Sequence, residues 1–219
     1  MPPPIPSRPI GFAAGLCTGQ PVLKIELFQD LCCPFSGKMM KTLVDGVIPE
    51  IAERPELAGK VEFIVQPIVQ PWHCQSSVMH ETAHAVALSL GMDRYWPFLL
   101  AILEQRTEKF EDWQTCHLSR VQLHDLCLEV AAASTHANRI FVKEDDREKV
   151  KTLLNLVAVG QASAEFQQIQ ISVKYSAKYH RIRSVHVTPT VFINDTEASD
   201  IGSGWTKEQW MEKLMACVA

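Results

Sequence analysis

No stretch of this 219-residue chain is apolar for long enough to span a bilayer. The residues from Ile10 to Leu16 are too few and too broken by glycine to form the core of an export signal. The expectation is a soluble, cytoplasmic protein with no membrane partner. Basic charge is not in excess either: 21 Lys and Arg face 25 Asp and Glu, for a net charge of −4, which argues against nucleic acid as a partner. An even set of cysteines is also missing. The seven at 17, 32, 33, 74, 116, 127 and 217, without an export signal, read as reduced thiols rather than a disulfide framework. Cys127 and Cys217 fall in helical apolar stripes and are expected in the core. Internal repeats are absent, as is low complexity beyond the first few prolines. What remains is an ordinary globular balance, 47% hydrophobic and 21% charged, at a length that allows one large domain or one domain carrying an insertion.

Residues 22–28 alternate apolar Leu23, Ile25 and Leu27 with Lys24 and Glu26, then finish apolar, which predicts a strand. From Phe35 the apolar positions 35, 39, 43, 47 and 51 mark a helical face that Pro49 should kink, ending near Glu53. A β-branched strand is predicted from Val61 to Val69. The middle reads as helices: Ser77 to Leu90, stopped by Gly91; Tyr95 to Glu104; Ser119 to Ala133, with Ser119 and Gln122 at capping-box spacing; and Lys143 to Val159, stopped by Gly160. The charge run 143–149 is expected to be a solvated helix start. A helix from Ser163 to Tyr179, a strand from Val187 to Ile193, a turn at Asn194-Asp195, a short return strand and a helix capped by Thr206 and Gln209 complete the chain. The expected domains are therefore 1–74 with 161–219, including an extended arm over 1–20, and an inserted helical block over 75–160. Trp72, Trp96, Trp113 and Trp205 are expected as packing anchors between the two.

Cys33-Pro34-Phe35-Ser36 opens the first helix directly after the first strand. The N–H groups and positive end of a helix favour negative charge on sulfur there, and proline is at ease in a first turn. Thr188-Pro189 precedes the late strand, where a cis peptide can present backbone to a bound disulfide or peptide. Taken with the element order, these features resemble the DsbA-like branch of the thioredoxin superfamily. The motifs that carry the resemblance are Phe28-x-Asp30, Cys33-Pro34-x-Ser36, Gln70-Pro71-Trp72-His73 and Thr188-Pro189-Thr190. It implies an α/β thioredoxin-like mixed sheet with an inserted all-helical domain, and a thiol–disulfide oxidoreductase or isomerase.

The chain departs from that pattern at Ser36, where dithiol members carry their resolving cysteine. A monothiol mechanism is therefore expected, possible with glutathione as co-substrate and with no other cofactor. Cys33 is the nucleophile and Ser36 a hydrogen-bond donor to its thiolate. Pro34, Phe35, Thr188, Pro189 and His73 are assigned to the substrate. Adjacent Cys32 is read as a packing residue, because a vicinal disulfide distorts the peptide between its cysteines. Cys74 is kept as a minor candidate resolver.

Two other readings compete. One is a redox-inactive thioredoxin-fold module that binds a peptide or protein. The other is a zinc hydrolase built on His80-Glu81-Thr82-Ala83-His84, whose two histidines share a helical face around a candidate general base. That reading lacks a third ligand, since Ala87 and Leu90 stand where the extended motif has Gly and His.

Overall fold

The structure is a computed structural model describing residues 6, 8–17, 19–155 and 164–218. Among the described residues, five strands form one mixed sheet: β1 (Phe12–Ala13), β2 (Leu23–Gln29), β3 (Val61–Pro67), β4 (Thr190–Ile193) and β5 (Thr196–Glu197), in the order β1-β3-β2-β4-β5. β2 lies at the centre, parallel to β3 with Leu23 opposite Val61, and antiparallel to β4 with Phe28 opposite Thr190. Covered on both faces, β2 is buried almost throughout, and the alternation of its sequence does not translate into a wet face. Glu26, expected on that polar side, is buried, its carboxylate accepting from Gln66 Nε2 (2.8 Å), the Tyr179 hydroxyl (2.6 Å) and Arg183 Nη2 (3.3 Å). The β4–β5 turn has Asn194 and Asp195 at φ +47° and +67°, the left-handed pair that a two-residue hairpin uses.

The arm predicted over 1–20 is partly sheet. Phe12 pairs with Val65 across β1 and β3, and its ring stacks on Tyr95 with centroids 3.7 Å apart. Its carbonyl accepts Trp96 Nε1 at 2.8 Å, tying this edge to the helical block. A strand of two residues has no period to read, which is why the sequence did not announce it.

The first helix runs as α1 (Pro34–Thr42), a π-helical turn (Leu43–Val47) and α2 (Ile48–Glu53). The wide turn lies just before Pro49, which has no N–H to continue the ladder and crowds the carbonyl four residues back. After β3 come α3 (Ser76–Leu90), a 3₁₀ turn (Met92–Arg94), α4 (Tyr95–Glu104), α5 (Arg106–Lys109), α6 (Asp112–Thr115), α7 (Arg120–Ala133), α8 (Ala137–Ile140) and α9 (Asp146–Leu154). Helices α10 (Ala164–Ile182) and α11 (Lys207–Val218) flank the last strands. α3 is the hub, packing on α4, α7, α9 and α10, and is buried nearly all round. The box at Ser119 and Gln122 caps α7, and Thr206 with Gln209 caps α11, which buries Trp210 and Leu214.

α9 starts at Asp146 rather than Lys143, because the Asp146 carboxylate accepts the N–H groups of Val142 and Lys143, each at 2.9 Å. The expected stop at Gly160 and start at Ser163 lie outside the described residues. Trp72 and Trp113 are 57% and 73% exposed, so they do not anchor the two parts; Trp96 does. Cys217 is exposed while Cys127 is buried, because in the last turn of α11 Met215 and Val218 take the face toward the core and Cys217 the outer one. Among the described residues no helix is long and apolar enough to cross a membrane.

Candidate active site

The register of β2 against β4 builds the site. With Phe28 opposite Thr190, the chain leaving β2 and the chain entering β4 meet at one end of the sheet. Cys33 takes the position just before α1 with extended backbone (ψ 122°), and Pro34 fills the first helical position. The Cys33 sulfhydryl donates to the Thr188 carbonyl, Sγ to O 3.4 Å. The Thr188–Pro189 peptide is cis. Cys33 is 6% exposed, whereas Phe35 and Val187 beside it are 59% exposed, leaving an apolar rim around a recessed sulfur.

Behind the sulfur lies Asp30, fully buried. Its Oδ1 accepts the Cys32 N–H (2.8 Å) and the Ser76 hydroxyl (2.9 Å), and its Oδ2 accepts the Gln70 N–H (2.9 Å). The Asp30 carbonyl accepts the Cys33 N–H at 3.1 Å, closing the turn that presents the thiol. One carboxylate thus ties together the cysteine loop, the end of β3 and the start of α3. Burial opposes its ionisation, but His80, with Nε2 3.8 Å from Oδ1, and the N–H donors of Cys32 and Gln70 prevail. The Asp30 pKa is held below the usual carboxylate value.

Ser36 is buried one turn into α1, and its hydroxyl oxygen accepts the Asp30 N–H at 3.2 Å. Accepting that bond engages the Ser36 oxygen in holding the loop and leaves its O–H as a donor. Gln70 completes the cleft from β3's side, with Nε2 3.4 Å from the His186 carbonyl and 3.5 Å from Thr188 Oγ1. From the helical block, Arg106 donates through Nε to the Cys32 carbonyl and through Nη1 to Glu111 (2.7 Å). Cys32 itself packs with Sγ 3.2 Å from Met79 Sδ. Burial first, then the charge of Asp30 and Cys127, push its thiol far above the ordinary range. His73 lies with Nδ1 3.9 Å from Asp112 Oδ1, its ring edge-on to that of Trp72.

No family model matches the sequence, and no curated protein does. Solved structures do. A protein assigned as a protein-disulfide isomerase from Pseudomonas syringae superposes with TM-score 0.67 at 19% identity, over 93% of this chain and 97% of that one. Oxidised BdbD from Bacillus subtilis gives 0.65 at 15%, over 95% and 92%. The thiol-disulfide exchange protein alpha-DsbA2 from Wolbachia pipientis gives 0.60 at 17%, over 94% and 86%. This is a DsbA-like thioredoxin fold. At these identities the likeness carries the architecture, a five-stranded mixed sheet with an inserted helical domain, and leaves the chemistry to the residues.

Within the DsbA-like fold the His80-Glu81-His84 segment occupies the hub helix α3, and its side chains diverge. The Leu31 N–H donates to His80 Nε2 at 3.4 Å, and His84 Nδ1 lies 2.7 Å from Ser172 Oγ. Glu81 pairs with Arg120 and with His124 (3.2 Å). Among the described residues no group of three or more metal-ligating side chains comes together, so the hydrolase constellation is not assembled. Sequence reasoning passed over Asp30, Gln70, Ser76 and Arg106 as working parts of the cleft. For Asp30 a signal existed: a carboxylate set between apolar Phe28 and Leu31 at a strand's end must find donors wherever it is buried. For Arg106, 74 residues downstream of its partner, there was none.

Proposed function

We propose that the protein is a thiol–disulfide exchange protein, of the oxidoreductase or isomerase type, that works through one nucleophilic cysteine, Cys33. The observation that carries this reading is the meeting of the Cys33 sulfur, at the head of α1, with the Thr188 carbonyl of the cis-proline loop. As a thiolate, Cys33 attacks one sulfur of a substrate disulfide. A Cys33–substrate disulfide forms, and the other substrate sulfur leaves as thiolate. Since Ser36 cannot resolve this adduct, an external thiol such as glutathione attacks it, restoring Cys33 and carrying the substrate sulfur away in a new disulfide. Two exchanges balance, and the protein gains and loses no electrons over the cycle.

The Thr188 carbonyl supports substrate capture. It accepts from the Cys33 sulfhydryl in the free protein, and that donor disappears once sulfur enters a disulfide. The carbonyl is then released to an extended peptide, in the manner of strand addition. The exposed Phe35 and Val187 offer that peptide apolar contact. A protein with this chemistry and seven free thiols suits a reducing compartment such as the cytoplasm.

The recession of the Cys33 sulfur favours a second reading, in which the cleft holds a peptide without exchange. One experiment separates the two. Incubation with glutathione disulfide, followed by peptide mass mapping, should place an adduct on Cys33 faster than on exposed Cys74, Cys116 or Cys217, and reduced glutathione should release it. Cys33→Ser should lack it, and Cys217→Ser should keep it. Slower modification of Cys33 than of the exposed thiols would leave only the binding module.

A further inference from the structure

Residues 6 and 8–12, α3 and α10 line an open cavity of about 340 Å³ that has no residue in common with the Cys33 cleft. The size lies within the range of small-molecule sites. Its lining includes apolar Phe12, Leu88 and Ile171 together with Arg8 and Ser172. Among the described residues Arg8 is the one fixed charge in the lining. His84 is 1% exposed, held by Ser172, and kept neutral by burial, which drives its pKa well below the ordinary value.

The Arg8 guanidinium is oriented and incompletely used. Nη1 donates to the carbonyls of Pro9 (3.1 Å) and Gly11 (3.3 Å), and the group lies 5.2 Å over the Phe12 ring. Among the described residues no carboxylate pairs with it, and Nε and Nη2 have no acceptor. Those two nitrogens form the edge of the guanidinium that takes a carboxylate through two parallel hydrogen bonds. A half-buried cation with no anion beside it among the described residues offers that edge to one.

We propose that this cavity binds a small organic monocarboxylate, its carboxylate on the Nε/Nη2 edge of Arg8 and its hydrocarbon body against Phe12, Leu88 and Ile171. Neither charge nor apolar surface alone satisfies the site. The inference stands independently of the thiol chemistry.

The test is titration of the whole protein with benzoate, with benzamide as its uncharged isostere and inorganic phosphate as an anion without an apolar body, followed by amide NMR shifts and calorimetry. Benzoate should shift the amides of Phe12, Leu88 and Ser172 and bind at least about tenfold more tightly than either control, the usual weight of a charge-assisted pair. Arg8→Gln should weaken benzoate by a similar factor, and Ile171→Trp, which fills the cavity, should do so without touching the cation. Cys33→Ser should bind as wild type. Equal binding of benzoate and benzamide, tighter binding of phosphate, or unchanged affinity in both cavity variants would each overturn the proposal.

Discussion

Asp30 organises more of the cleft than Cys33 does. Three donors from three parts of the chain converge on one buried carboxylate, and the turn presenting the thiol depends on it. An asparagine offers a single acceptor oxygen and sets an NH₂ group against the remaining donors. Asp30→Asn is expected to cost about 2–3 kcal/mol in urea unfolding near neutral pH. The sign of the pH dependence follows from the depressed pKa: the ionised form is favoured in the folded state, so its stabilisation is present above the ordinary value of 3.8 and lost as pH falls through the lower folded value. Between about pH 6 and about pH 3 the wild type should lose more stability than Asp30→Asn. An equal slope in both proteins would refute the role. The cysteines make a second residue-scale prediction. In the native protein iodoacetamide should label Cys74, Cys116 and Cys217 and spare Cys32 and Cys127. Burial pushes the Cys127 thiol up to about 12, so raising the pH to about 9 should not expose it, whereas denaturant should. Native labelling of Cys127 would contradict its burial.

At the scale of elements, the hub helix depends on where it stops. Gly91 ends α3 at φ +128° and ψ 147°, a conformation open only to glycine, and an added Cβ would sit 2.5 Å from Asp93 Oδ1. Gly91→Ala should destabilise the fold by about 1–3 kcal/mol, measured as a lower urea midpoint at unchanged slope. The sequence announced this stop, as it announced the limits of α4 and the capping boxes of α7 and α11, because those signals lie within a few residues of the structure they set. It did not announce β1, α5, α6 or α8, which are two or four residues long and too short for any periodicity to build up. Glu26 was misplaced for another reason: α10 closes over the second face of β2, so a residue that reads as outward is inside.

At the scale of the whole molecule, the helical insertion reaches the thiol loop through Arg106. Its Nε holds the Cys32 carbonyl, one residue before the nucleophile, while Glu111 fixes the guanidinium from within the insertion. Arg106→Ala leaves a buried carbonyl and a carboxylate without their donor, so a loss of about 2–3 kcal/mol is expected. Glutathione adduct formation at Cys33 should slow with it, since the loop keeps its turn but loses its outer support. An exchange rate equal to wild type would show that the insertion stabilises the fold without bearing on the sulfur.

Local sequence determined the strands β2 and β3, the long helices with their caps, and the placing of a cysteine at a helix head and a Thr-Pro at a strand start. Periodicity and capping act over a single turn or pleat, so they can be read without coordinates. Tertiary structure alone decided what those groups touch. The Cys33–Thr188 contact spans 155 residues and Asp30–Ser76 spans 46, and Ser36 accepts from Asp30 because a buried N–H had to find an acceptor. Such pairings follow from strand register and from the satisfaction of buried polar groups, which belong to the folded molecule and not to any stretch of its sequence.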